Sequence, residues 1–234
     1  MDIKVIASGS DGNCYRVSDG SSTVLLDAGV PIKAIRAGCD FHLAEVAGCL
    51  VTHSHSDHSK AVKDIIRAGV PAYMTAGEAE LVPGAVRIIE RAGEAYIPFR
   101  VGTFTVVPFH VEHDTPEPVG FFLGSTTTNE KLLYFTDTYY IRQRFAPFEY
   151  LIGEVNYDEE TVKKNVEEQR LDTSRMKRLF TTHMGLNTFL EFLRANDISR
   201  LRKIWVCHMS NDNGNAERIE KAIERETGIE VYVC

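Results

Sequence analysis

The sequence has no C-x-x-C pair. Its five cysteines, Cys14, Cys39, Cys49, Cys207 and Cys234, are an odd number scattered over 234 residues. That argues against a cysteine-built zinc site and a disulfide framework, and makes a reducing compartment, the cytoplasm, the expected home. No apolar run approaches the roughly 20 residues that cross a bilayer as a helix, so no membrane partner is expected. Met1 to Ala7 carries an early acidic residue and reads as a strand, not as the basic start of a signal peptide. A surplus of positive charge is missing as well. Lys and Arg number 26 against 33 Asp and Glu, a net charge of −7, which speaks against a protein that coats nucleic acid with its whole surface. Internal repeats, low-complexity tracts and linkers are absent, and the length fits one domain over residues 1–234.

What is present is an ordinary globular balance, 44% hydrophobic and 25% charged residues. Strand-like runs at Ile3–Ala7, Cys14–Val17 and Thr23–Leu26 are separated by turns rich in Gly, Ser, Asp and Asn. A helix is expected from Pro31 to Ala37, stopped by Gly38, and a strand from Val46 to Thr52. Ser59–Ala68 has Ala61, Val62, Ile65 and Ile66 on one helical face and charges opposite. Further strands are expected at Thr103–Phe109, Val119–Leu123, Lys131–Thr136, Tyr150–Val155 and Lys203–Cys207. Helices are expected at Thr161–Gln169, Leu186–Ala195 and Ala216–Glu226. This order predicts an α/β chain with two sheets flanked by helices.

The chemistry begins at Thr52–Ser59, T-H-S-H-S-D-H-S, which packs three imidazoles and one carboxylate into six residues. Alternate side chains leaving a strand point the same way, so His53 and His55 can meet one ion, while Asp57 and His58 at the turn can meet a second. Imidazole with carboxylate is a ligand set for zinc, manganese or iron. Two ions need more donors. His113, Asp137 and His208 each follow an apolar β-like run. His113 would complete the first set and His208 the second, and Asp137 suits a carboxylate shared by two cations. His110 competes with His113 and reads better as a strand-edge histidine.

This ordered pattern resembles the metallo-β-lactamase superfamily, and Leu25-Leu26-Asp27-Ala28-Gly29 is similar to its early strand, whose Asp27 would brace the histidine loop. The words at Ser8–Tyr15, His113–Phe121, Thr136–Thr138, Glu154–Asp158 and His208–Asn213 resemble the YycJ/WalJ-like metallo-hydrolases. The resemblance implies an αββα four-layer sandwich of two mixed β-sheets flanked by helices, without a β-CASP insertion. It implies two divalent metal ions, Zn²⁺ or Mn²⁺, and a hydrolase whose nucleophile is a hydroxide held between them. Cleavage of phosphodiesters, with DNA as the substrate of an exonuclease, is the expected activity. By analogy with tRNA 3′-processing enzymes, Glu154 and His183 would form a proton relay, and Asp57, which would hold a metal, is the third residue expected to act in catalysis. The sequence around His183, T-T-H-M-G-L, lacks the serine usual in the subgroup.

Lys163, Lys164, Arg170, Arg175, Lys177 and Arg178 form a basic segment that runs into His183. Lys177 and Arg178, with Asn211, are the expected contacts to a nucleic-acid backbone. The alternative for the segment is a solvated, salt-bridged helix, because Glu159, Glu160, Glu167 and Glu168 are interspersed. The ligand set also admits a small-molecule hydrolase acting on a thioester, lactone, β-lactam or cyclic phosphate ester. A di-iron redox protein on this fold would carry glutamate where His55 stands, and an inactive scaffold would be expected to have lost histidines.

Overall fold

The computed structural model describes residues 1–82, 84 and 86–234. These fall into two compact units, residues 1–110 with 115–130 and residues 111–114 with 131–234.

The first unit starts as an antiparallel meander of β1 (Asp2–Ala7), β2 (Cys14–Ser18) and β3 (Thr23–Leu26). From β3 onward the sheet turns parallel, adding β4 (Gly48–Leu50), β5 (Ala72–Met74) and β6 (Arg87–Ile88) in chain order. Parallel neighbours need a crossover. Helix α1 (Ile32–Gly38) supplies the first, and α2 (Ser56–Ser59) with α3 (Val62–Arg67) the second, while α4 (Ala76–Ala79) follows β5. Leu25, Cys49, Val51, Ala72 and Met74 pack with Ile35, Val62 and Ile65 in one buried cluster. A small hairpin, β7 (Arg91–Ala92) and β8 (Ala95–Tyr96), precedes an antiparallel set of β9 (Phe99–Val101), β10 (Phe104–His110) and β11 (Val119–Ser125).

The helix expected at Ser59–Ala68 is interrupted, and the cause is tertiary. A continuous helix would use the carbonyls of Asp57 and His58 for the N–H groups of Ala61 and Val62. Those carbonyls are taken instead by Asn13 N at 2.7 Å and Ala28 N at 2.8 Å, and Ala61 N turns to Ala28 O at 2.8 Å. The histidine loop is thereby tied to the turns after β1 and β3. Gly29 makes this possible, since a Cβ there would lie 1.6 Å from Asp57 O.

The second unit holds four parallel strands, β12 (Lys131–Phe135), β13 (Tyr150–Glu154), β14 (Lys203–Cys207) and β15 (Glu230–Val233). The inner strands β12 and β13 are buried on both faces and read as nearly continuous apolar runs, whereas the last strand β15 exposes Glu230 and Tyr232. Helices α5 (Glu159–Glu167), α6 (Thr173–Thr182) and α7 (Leu186–Arg194) lie between β13 and β14 in sequence, and α8 (Ala216–Thr227) between β14 and β15. Gly153 leaves room for Phe135 and Phe189, which a Cβ would approach to 2.9 and 2.8 Å. Helix α6 was not among the expected helices. Its apolar side is short, Met176, Leu179 and Phe180, its sole buried residue is Thr182, and it starts where Asp172 caps Ser174 N and Arg175 N at 2.8 and 2.9 Å. Among the described residues no helix is long and apolar enough to cross a membrane.

Candidate functional site

In the first unit the histidine loop is organised by one carboxylate. Asp27 is fully buried just past β3, with a left-handed backbone (φ 59°). Its Oδ1 accepts Thr52 N at 2.8 Å, and its Oδ2 lies 2.8 Å from His58 Nδ1. The Nδ1 hydrogen of His58 belongs to that contact, which turns Nε2 towards Asn13 Nδ2 at 3.1 Å and Asp57 Oδ2 at 3.4 Å. Thr52 Oγ1 also donates to Asp27, 3.1 Å from either oxygen, so the 3.0 Å contact to His53 must be donated by His53 Nδ1. One buried carboxylate thus sets the tautomer of two imidazoles and leaves each with the Nε2 lone pair a metal needs. The His53 ring lies 4.8 Å from that of His55 and 4.3 Å from that of His58.

Glu78 is a second brace that sequence reading missed. It is fully buried, and its two oxygens accept Ser54 N and Glu117 N, each at 2.8 Å. Nothing in the sequence distinguishes it from a surface glutamate. Asn13 was quoted inside a family word without a role, and the structure makes it a partner of both Asp57 O and His58. His110 ends β10 with an exposed side chain.

In the second unit the chain ends of parallel strands gather the remaining groups, the usual place for a site in such sheets. Asp137, Glu154, His183 and His208 each offer a ligand-type atom, all within 4.8 Å of one another. Asp137 and His208 follow β12 and β14 with left-handed backbones, φ 47° and 51°. Aspartate and histidine tolerate that region better than most residues, and such conformations cluster at functional sites. Glu154 is fully buried. Its Oε1 lies 2.6 Å from His183 Nδ1 and 3.4 Å from His208 Nδ1, while Oε2 accepts Thr138 N at 2.9 Å. Asn156 steadies His208 by donating to its carbonyl at 2.7 Å. The His183 and His208 rings stack at 5.4 Å, and the His183 and His113 rings lie 6.0 Å apart.

Electrostatics divide these imidazoles. Burial pulls His183 down, but the charge of Glu154, its hydrogen bond and Asp137 outweigh it, so the pKa of His183 is raised. Burial likewise pushes Glu154 up, and His183, with the hydrogen bonds from His183 and His208, holds it below the usual carboxylate range. His113 has a covered side chain, and burial wins there, lowering its pKa. Its Nδ1 faces Thr182 O at 3.3 Å and its Nε2 faces Asp114 Oδ1 at 3.2 Å.

Imidazole nitrogens and carboxylate oxygens are donors that suit a divalent ion, and both clusters supply them. Donors at about 2.0–2.2 Å from one ion stand within about 4.4 Å of each other, a spacing the second cluster reaches with small side-chain shifts. Of the expected substrate contacts, Arg178 lines a cleft beside His183, whereas Lys177 and Asn211 are exposed and do not line it.

With both clusters described, comparison with known proteins places the chain. Residues 22–209 match the family described as the beta-lactamase superfamily domain, and the chain belongs to that family. It is a metal-dependent hydrolase. The exodeoxyribonuclease YycJ of Bacillus anthracis is 28% identical over 243 residues, covering 96% of this chain and 88% of its own. The metallo-beta-lactamase fold protein YhfI of Bacillus subtilis superposes with a TM-score of 0.70 at 14% identity, over 99% of this chain and 95% of its own. Human tRNase Z, short form, superposes with a TM-score of 0.65 at 14% identity, over 100% and 96%. The α/β fold expected from the sequence is therefore the metallo-β-lactamase fold.

Proposed function

We propose that the chain is a phosphodiesterase that degrades DNA as an exonuclease in the cytoplasm, using two divalent ions, Zn²⁺ or Mn²⁺. His53, His55, Asp57 and His58 are the ligands contributed by the first unit, and His113, Asp137 and His208 those of the second. The observation that carries the reading is the buried Glu154–His183 pair beside Asp137 and His208. The relationship to exodeoxyribonuclease YycJ supports DNA as the substrate.

Bound divalent ions would supply Lewis acidity at the phosphate and a nucleophile at neutral pH. The chain's own residues do the rest. Glu154 fixes His183 through Nδ1, which leaves Nε2 to face the substrate. Because the pKa of His183 is raised, Nε2 carries a proton through more of the neutral range and can give it to the leaving oxygen. Glu154 stays ionised throughout, so the imidazolium keeps its partner.

End-labelled DNA and RNA incubated with the protein and Mn²⁺ or Zn²⁺ test this reading. Metal-dependent loss of DNA from an end is expected, with Asp57→Ala slower by more than about 100-fold, since even a residue one step removed from a ligand is worth 10–100-fold. Intact DNA in the presence of bound metal would replace the proposal with a small acyl or cyclic-phosphate substrate.

A further inference from the structure

We propose that a cleft on the second unit seats the terminal nucleotide of the substrate strand, with its phosphomonoester held by Arg170, Arg175 and Arg178. This rests on the nuclease reading and names the part of the strand that the enzyme grips.

The cleft measures about 460 Å³ and has His183 in its wall with the three arginines. Ligand sites run from about 300 to 1,000 Å³, so the cleft has room for a nucleotide. Asp212 is the single carboxylate in the lining itself, and the acidic partners of the three arginines lie outside it. The guanidinium groups are lightly engaged. Arg170 pairs with Glu168, Arg175 with Asp172 at 3.5 Å and Arg178 with Asp114 at 3.7 Å, and the three arginine side chains are 66%, 78% and 77% exposed. Exposed pairs of this kind are weak, and an arginine fork keeps donors for a phosphate.

The rim is preorganised. Arg170 N and Leu171 N both return to Asn165 O, at 2.8 and 3.1 Å, so the connector between α5 and α6 folds back on α5. The buried Asn165 side chain donates to Asp212 O at 2.8 Å and Asn213 Oδ1 at 3.0 Å, fixing the opposite wall. Three guanidinium groups around one nucleotide-sized volume suit a terminal monoester, which carries close to two charges at neutral pH, better than an internal diester with one. A strand anchored by its end next to His183 is cut near that end. Lys177 lies outside the cleft and is not part of the grip.

The test is fluorescence anisotropy of the metal-loaded protein with short phosphorothioate-linked DNA strands bearing a 5′-phosphate, a 3′-phosphate or hydroxyl ends. One phosphorylated end is expected to bind about tenfold or more tighter than hydroxyl ends, and the arm that does so identifies which end is gripped. Arg170→Ala/Arg175→Ala, at exposed positions, is expected to bring that ratio to within about twofold of one, with Arg175→Ala alone intermediate. Equal binding of all three strands by the unmodified protein, or a ratio unchanged in the double variant, overturns the proposal. Cleavage of ordinary DNA is scored separately. Strands cut without an end preference refute the grip but not the nuclease, and strands gripped by a phosphorylated end yet never cut refute the nuclease but not the grip.

Discussion

Asp27 in the first unit and Glu154 in the second solve the same problem with arms of different length. Each is fully buried, accepts a backbone N–H from a strand-end turn with one oxygen and meets an imidazole Nδ1 with the other. Asp27 reaches its imidazoles from a fixed, left-handed backbone, one directly and one through Thr52. Glu154 sits at the end of a strand and is shared between His183 and His208, with Asp137 also close to His183 at 3.3 Å. The first arrangement holds imidazoles in one tautomer. The second places a carboxylate pair around an imidazole whose proton affinity is raised. Under the proposed function this is a division of labour, in which the first cluster holds ions and the second also moves a proton.

The comparison breaks most severely at Gly29. Gly29→Ala puts a methyl on Asp57 O and must shift the histidine loop, so a loss of about 4 kcal/mol or more is expected in thermal or denaturant unfolding. A variant that melts like the parent would show that the first cluster does not depend on this close approach. The two carboxylates can next be set against each other. Asp27→Asn should lose bound metal, counted by elemental analysis. Glu154→Gln should keep most of it while turnover falls about 10–100-fold. Equal metal loss in both variants would end the division of labour.

The smallest expected effect lies away from both clusters, at Asp19. This buried carboxylate accepts Thr103 Oγ1 and Ser125 Oγ at 2.6 Å and Ser21 N and Ser22 N at 2.9 Å. Burial alone would raise its pKa, but those bonds depress it to about 2 from 3.8. A depressed folded value means that the stability is fully present above the unfolded pKa and is lost as pH falls through about 2. Asp19→Asn should cost about 1–2 kcal/mol at neutral pH, read as a lower Tm, and should lose less stability than the parent on acidification.

Legibility followed the range of the interactions. Thr23–Leu26 and Lys203–Cys207 match the expected strands to the residue, because short apolar runs between turn residues carry their own boundaries. The first cluster was legible as a group because its donors lie within six residues. The members of the second come from separate strand ends and a helix end: Asp137 and His208 are legible from the apolar runs they follow, Glu154 and His183 only through the family resemblance. Helix α6, the break between α2 and α3, and the braces Glu78, Asn13 and Asn156 were not legible. In each case the deciding hydrogen bond is made by a polar side chain or by a carbonyl diverted from its local partner.

The sequence by itself determined the fold class, most of the strands and helices and the chemical identity of the donors, because periodicity and residue type act over a few positions. Only the tertiary structure decided which nitrogen of His53, His58 and His183 is left for chemistry, and where Arg170, Arg175 and Arg178 converge. Tautomer and charge are set by partners tens of residues away, such as Asp27 for His58 and Glu154 for His183, whose burial no local pattern encodes.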